Sequence, residues 1–125
     1  MLDHVGFAVA DYARSKAFYE KALAPLGFTL LLEFSGAAAG FGKDDGGRPG
    51  FFIEAYGEPV RGRLHLALKV DNRAQVDAFY TAAIEAGGID NGAPGVRAVY
   101  HPDYYGGYVL DPDGNNIEAV CHRPE

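Results

Sequence analysis

Two histidines and two glutamates recur in this chain at spacings that duplication accounts for. The stretch "HVGFAVADYARSKAFY", residues 4–19, returns 61 positions later as "HLALKVDNRAQVDAFY", residues 65–80, so that His65 repeats His4. Ile53-Glu54-Ala55 returns as Ile117-Glu118-Ala119 at an offset of 64, three loop residues making up the difference. A single histidine on a strand, or a single glutamate beside a turn, is ordinarily solvated; the paired repetition is what singles these four out. Two neutral imidazoles and two carboxylates are a nitrogen and oxygen donor set suited to zinc, nickel, cobalt, manganese or Fe(II), with no thiolate involved. An ion so held keeps positions for water or substrate and stabilises a developing oxyanion as a Lewis acid. His4, Glu54, His65 and Glu118 are therefore the candidate metal ligands.

The surrounding pattern predicts the elements that must position them. Val5, Phe7 and Val9 alternate with His4, Gly6 and Ala8, and Leu66, Leu68 and Val70 with His65, Ala67 and Lys69, the period of two that marks a strand. The bulky apolar parity faces a helix, and the histidines share the other parity with small residues, which leaves room for a cleft. Asp11 and Asn72 are suitable N-caps for helices carrying Phe18, Ala22, Leu23 and Phe79, Ala83, Ile84, with Pro25, Gly27 and Gly87-Gly88 as stops. Short strand candidates follow: "FTLLLEF", "AAAGFGK" and "GFFIEAY", then "VRAVYH", "GYVLD" and "NIEAV". Both halves read βαβββ. The expectation is one α+β domain over residues 1–125, built from module 1 (about 1–60) and module 2 (about 61–125), whose half-sheets form a curved mixed sheet around a cleft.

Composition narrows the function classes. The chain has 125 residues, 48% of them apolar and 13% aromatic, enough for a substantial core. A net charge of -6 without a Lys/Arg cluster speaks against a nucleic-acid partner. The longest apolar runs are too short to span a bilayer, and the opening "MLDHVGF" carries acid where a secretory leader is basic. Cys121 is alone, which fits a reducing compartment and a cytoplasmic location.

Paired βαβββ modules with a histidine opening each and a glutamate on each last strand, together with "YVLDPDGNNIEAV", resemble the vicinal oxygen chelate superfamily. That group includes glyoxalase I, extradiol dioxygenases, fosfomycin-modifying enzymes and bleomycin-resistance binding proteins. The resemblance covers essentially the whole chain. It implies that His4, His65 and Glu118 match the shared metal triad and Glu54 the further carboxylate that glyoxalase I uses. It also implies a substrate that chelates one divalent ion through adjacent oxygens.

Three functions follow from it. In a glyoxalase-like lyase or isomerase, the favoured reading, Glu54 or Glu118 moves a proton between neighbouring carbons. The glutathione-binding Arg and Asn of that group are replaced by Ala8 and Glu58, which speaks against glutathione as co-substrate. In an extradiol dioxygenase, "VYHPDYYGGYVLDPDGNNIE" supplies His101 and Tyr108 as acid-base and orienting residues, although Gly107 stands where an apolar residue is expected. "DPDG" is in any case a tight turn, and Tyr104, Tyr105 and Tyr108 suit a cleft wall equally. The third is a metal-free binding protein of the bleomycin-resistance kind, against which retention of all four ligands argues. His122 is read as solvated, and Lys69 as a strand-end lysine reaching for water. Open sheet edges in such modules need covering, so a homodimer is expected.

Overall fold

The computed structural model describes all 125 residues. The first half runs β1 (Val5–Ala8), α1 (Tyr12–Leu23), a 3-10 turn (Ala24–Leu26), β2 (Phe28–Phe34), β3 (Ala38–Lys43) and β4 (Phe51–Glu54). The second runs β5 (His65–Lys69), α2 (Arg73–Glu85), β6 (Ile89–Asp90), β7 (Gly95–Val96), β8 (Tyr105–Leu110) and β9 (Asn116–Cys121). Both helices start where a side chain replaces the missing intrahelical acceptor: Asp11 accepts from the Arg14 amide at 3.1 Å and Asn72 from the Gln75 amide at 2.9 Å. The first ends two residues before Pro25, and the 3-10 turn after it closes on Gly27 at φ +81°, a left-handed conformation that favours glycine. No helix is long and apolar enough to cross a membrane.

The repeat in sequence is a repeat in topology. The first sheet has the order β1-β4-β3-β2 and the second β5-β9-β8-β6, with β1 parallel to β4, β5 parallel to β9 and the remaining pairs antiparallel. The halves are thus α+β modules of the expected kind, but they form two separate ladders, with β1 and β5 each at an edge. One expected strand differs. "VRAVYH" contributes only Val96, in the short β7; β6 and β7 both pair with β8, and residues 97–104 leave the ladder. Gly92, at φ +142°, and Pro94 interrupt the extended backbone between the two fragments. Beyond β7 the chain folds on itself through Tyr100 N–H to Arg97 C=O (2.9 Å) and Tyr104 N–H to His101 C=O (3.1 Å).

One hydrophobic cluster joins the halves. Phe7, Phe51 and Ile53 of the first sheet, Val109, Ile117 and Ala119 of the second, and both helices contribute to it. Tyr19 of α1 sits at the junction, its ring 4.9 Å from both Phe18 and Phe51 and its hydroxyl donating to Asp111 Oδ2 at 2.6 Å. Asp111 opens the "DPDG" turn, which closes by a 2.9 Å bond from the Gly114 amide to the Asp111 carbonyl, as its residue types dictate. Its carboxylate also accepts from the amides of Asp113 (2.9 Å) and Asn115 (2.8 Å). A single buried carboxylate therefore fixes the turn that aims β9 and ties it to the helix of the other half.

Burial, reinforced by the charge of Asp111, holds the Tyr19 phenol well above its usual pKa. A raised folded-state value means the contribution is complete below the unfolded phenol's pKa of about 10 and is lost as pH climbs beyond it. Tyr19→Phe is expected to cost about 1–3 kcal/mol near neutrality, because Asp111 loses a donor while staying buried, and to flatten the fall of stability above pH ~10. Urea unfolding across pH checks both; equal slopes in the two proteins contradict the assignment.

Candidate metal centre

In each half the register puts the histidine and the glutamate on the sheet face turned away from the helix. Ala8 is registered with Glu54 and Gly6 with Phe52, while Phe7 and Ile53 point into the core. In the second half Ala67 is registered with Glu118 and His65 with Asn116, while Ile117 and Ala119 are core residues. Because side chains alternate strictly, these pairings leave the two carboxylates no other face.

The second pair is the more tightly built. Glu118 is only 1% exposed. Its Oε2 accepts a hydrogen bond from the Tyr104 hydroxyl, and its Oε1 lies 3.2 Å from His65 Nε2. The other imidazole nitrogen, Nδ1, is 3.1 Å from the Asn116 carbonyl oxygen. A carbonyl only accepts, so Nδ1 carries hydrogen, and Nε2 is the nitrogen turned to Glu118. Two acceptors facing at this distance need a proton or a cation between them. Burial, then the bond to Glu118, raises the Tyr104 phenol far above the ordinary range, so it remains a donor; burial foremost raises Tyr108 as well. Gly106 makes the space, since a Cβ there would stand 3.1 Å from Glu118 Oε2 and 3.3 Å from the Tyr108 hydroxyl.

The first pair is more open and follows the same pattern. His4 Nδ1 lies 2.7 Å from Asp3 Oδ1, which directs its hydrogen to the carboxylate and leaves Nε2 free. His4 and Glu54 line a cleft of about 450 Å³ with Phe34, Phe52 and Tyr56. Phe52 can lie along the sheet because its registered neighbours are Gly6 and Gly40; a Cβ at Gly40 would stand 2.7 Å from its ring. In both halves an oxygen acceptor holds Nδ1 and Nε2 is left as a ligand, the outer-shell arrangement typical of metal-binding histidines. The donor set fits a divalent ion.

The four candidates are not gathered at one point. No three His, Cys, Asp or Glu side chains of the chain are grouped so as to hold an ion. His4 and Glu54 line one cleft on the first sheet, and His65 and Glu118 meet on the second. Tyr108 is beside the second, its ring near parallel to His65 with centroids 6.4 Å apart. His101 has both ring nitrogens engaged elsewhere: Nδ1 accepts from the Asp103 amide at 3.1 Å and Nε2 meets His122 Nδ1 at 2.7 Å. His122, read from the sequence as merely solvated, is thus paired. Asp3, Asn116 and Tyr104 act on the candidate ligands without any spacing signal that marks them.

A family model described as the Glyoxalase/Bleomycin resistance protein/Dioxygenase superfamily matches residues 1–119. The chain belongs to this superfamily. Among solved structures, a glyoxalase/bleomycin resistance protein from Albidiferax ferrireducens T118 is 29% identical with a TM-score of 0.84, the match covering 97% of this chain and 98% of that one. A glyoxalase/bleomycin resistance protein/dioxygenase family enzyme from Burkholderia phytofirmans PsJN is 22% identical (TM-score 0.71, coverage 97% and 98%). Lactoylglutathione lyase from Agrobacterium tumefaciens is 18% identical (TM-score 0.68, coverage 97% and 92%). The last two show likeness of fold alone. No curated protein matches in sequence.

Tyr104→Phe removes one of the few donors to a buried carboxylate and is expected to cost about 1–3 kcal/mol. Chemical denaturation measures it; a change within a few tenths of a kcal/mol contradicts the role assigned to the phenol.

Proposed function

We propose that the protein is a divalent-metal-dependent lyase or isomerase of the glyoxalase type, acting on a small molecule with adjacent oxygens. The observation that carries this reading is the pair of repeated histidines, each with Nδ1 held by an oxygen acceptor, His65 with Nε2 turned to Glu118 and His4 lining the same cleft as Glu54. His4, Glu54, His65 and Glu118 would hold the ion, which supplies Lewis-acid stabilisation of an oxyanion when bound. Glu54, half-buried in the open cleft, is placed to take the C–H proton beside a carbonyl and deliver it to the neighbouring carbon, while the hydroxyl proton passes between the two oxygens. Glu118 is confined by Tyr104 to the ligand role. Phe34, Phe52 and Tyr56 provide an apolar wall beside the reacting carbons.

The protein acts as a homodimer in this reading. Each chain carries two half-sites and two sheet edges, β1 and β5, His4 standing just before the first and His65 opening the second. Apposition of β1 from one copy with β5 from another covers both edges and joins a His4–Glu54 pair to a His65–Glu118 pair, twice by symmetry.

His65→Ala is expected to weaken zinc or nickel binding by more than the roughly 10–100-fold that loss of an outer-shell partner costs, with the fold retained. Equilibrium dialysis with metal analysis measures it, and unchanged occupancy sinks the site. Mixing His4→Ala with His65→Ala chains after dissociation tests the shared site: heterodimers regain one intact centre, about a quarter of the wild-type metal per chain, whereas a single-chain site regains nothing. Tyr108 beside His65 favours a second reading, extradiol ring cleavage, and Glu54→Gln separates the two. A glyoxalase-type site loses turnover of methylglyoxal-thiol adducts, while oxygen uptake with catechol survives the change in a dioxygenase.

A further inference from the structure

A cationic pocket opens beside the His65–Glu118 corner, and none of the roles assigned above uses it. It has a volume of about 300 Å³ and is lined by Arg97 with Asn91, Tyr100, Tyr108 and Asn116. Arg97 makes no ion pair within the chain, whose three ion pairs lie elsewhere. Its guanidinium is nevertheless fixed: Cζ sits 5.2 Å from the centroid of the Tyr108 ring, and Nη2 donates to the Ala93 carbonyl at 2.7 Å. Two glycines make the seat. A Cβ at Gly95 would lie 2.9 Å from Nη1, and one at Gly92 3.2 Å from Nη2. A half-buried guanidinium held in place, with N–H groups to spare, is a ready partner for a planar carboxylate.

An unpartnered polar atom lies at the same corner. Asn116 Oδ1 is buried and has no hydrogen-bond partner. Buried polar atoms are rarely left so, and this one belongs to the residue whose carbonyl holds His65 Nδ1. Tyr108 joins the two places, since its ring touches both the Arg97 guanidinium and the His65 imidazole.

We infer that Arg97 forms a carboxylate subsite of the cleft, so that the substrate is a small oxygenated acid whose carboxylate bonds the guanidinium. The inference rests on reading the His65–Glu118 corner as part of the metal centre, and it specifies the substrate class for that side of the cleft. It makes Arg97 a specificity-determining residue, with Gly92 and Gly95 positioning it.

The probes are mandelate and 1-phenyl-1,2-ethanediol, which share a phenyl group and a hydroxyl and differ in the carboxylate. Binding is read by NMR titration of the metal-free full-length protein, so that no ion contributes to the preference. The expected result is a preference for mandelate of about tenfold, the worth of one charge-assisted contact, lost in Arg97→Gln and partly kept in Arg97→Lys. Gly95→Ala is the control for folding and charge: the backbone there accepts any residue, the arginine remains, and the added methyl displaces the guanidinium. It is expected to abolish the preference as well. Equal or undetectable binding of the two probes, or a preference that survives both Arg97→Gln and Gly95→Ala, overturns the subsite. Zinc stoichiometry measured on the same preparations reports the metal reading separately, because Arg97 is not a ligand. A protein that prefers mandelate through Arg97 yet takes up no zinc keeps the subsite and loses the metal centre; one that binds zinc without the preference does the reverse.

Discussion

A carboxylate almost wholly removed from water, with an imidazole nitrogen turned to it, is the constraint around which the second half of this protein is arranged. Burying Glu118 is unfavourable unless its oxygens are satisfied, and the chain supplies one firm donor, the Tyr104 hydroxyl. The other oxygen faces His65 Nε2, while the Asn116 carbonyl holds the hydrogen of the far nitrogen. Gly106 leaves the space, the loop before β8 brings the phenol, and the β5–β9 register sets imidazole and carboxylate on one face. An arrangement that satisfies one oxygen and offers the other beside a free nitrogen is suited to cation binding rather than to stability alone.

Duplication distributes this chemistry in an instructive way. Each half builds an imidazole and a carboxylate on its own sheet, and a common core with the Tyr19–Asp111 tie fixes the two halves rigidly to one another. Rigidity does not bring the two pairs together, and two protein ligands hold a divalent ion less firmly than three or four. In the proposed dimer the core sets the spacing of half-sites and the bare edges β1 and β5 do the joining. The open first half, with its aromatic wall, then meets the enclosed second half with Arg97, so an apolar and a cationic surface flank the same ion.

Much of the fold was legible because it depends on local alternation. The parity of His4 with Gly6 and Ala8, and of His65 with Ala67, determined the outward face, and Asp11, Asn72, Pro25 and Gly27 marked the helix limits through their own backbone chemistry. The interruption between β6 and β7 was missed because the apolar residues of "VRAVYH" suit a strand, whereas Gly92 and Pro94 decide the backbone just upstream. That the candidate ligands of each half share a face was legible for the same reason as the fold. Their gathering at one point was not, since parity fixes a face and says nothing of distance across a molecule. Tyr104 could not be told from Tyr100, Tyr105 and Tyr108 in a loop without periodicity, and Arg97 acquires its character only from glycines that the fold brings against it. His101 has the right spacing for an acid-base residue, yet local turn geometry commits it to the Asp103 amide and His122.

The claim on which this account turns is the protonation pattern of two rings, and long-range proton-nitrogen correlation NMR of the histidine side chains tests it directly. At neutral pH the metal-free protein should show His4 and His65 with hydrogen on Nδ1, and zinc should shift the Nε2 signals of both. A bare Nδ1 on His65, or Nε2 signals indifferent to zinc, contradicts the account.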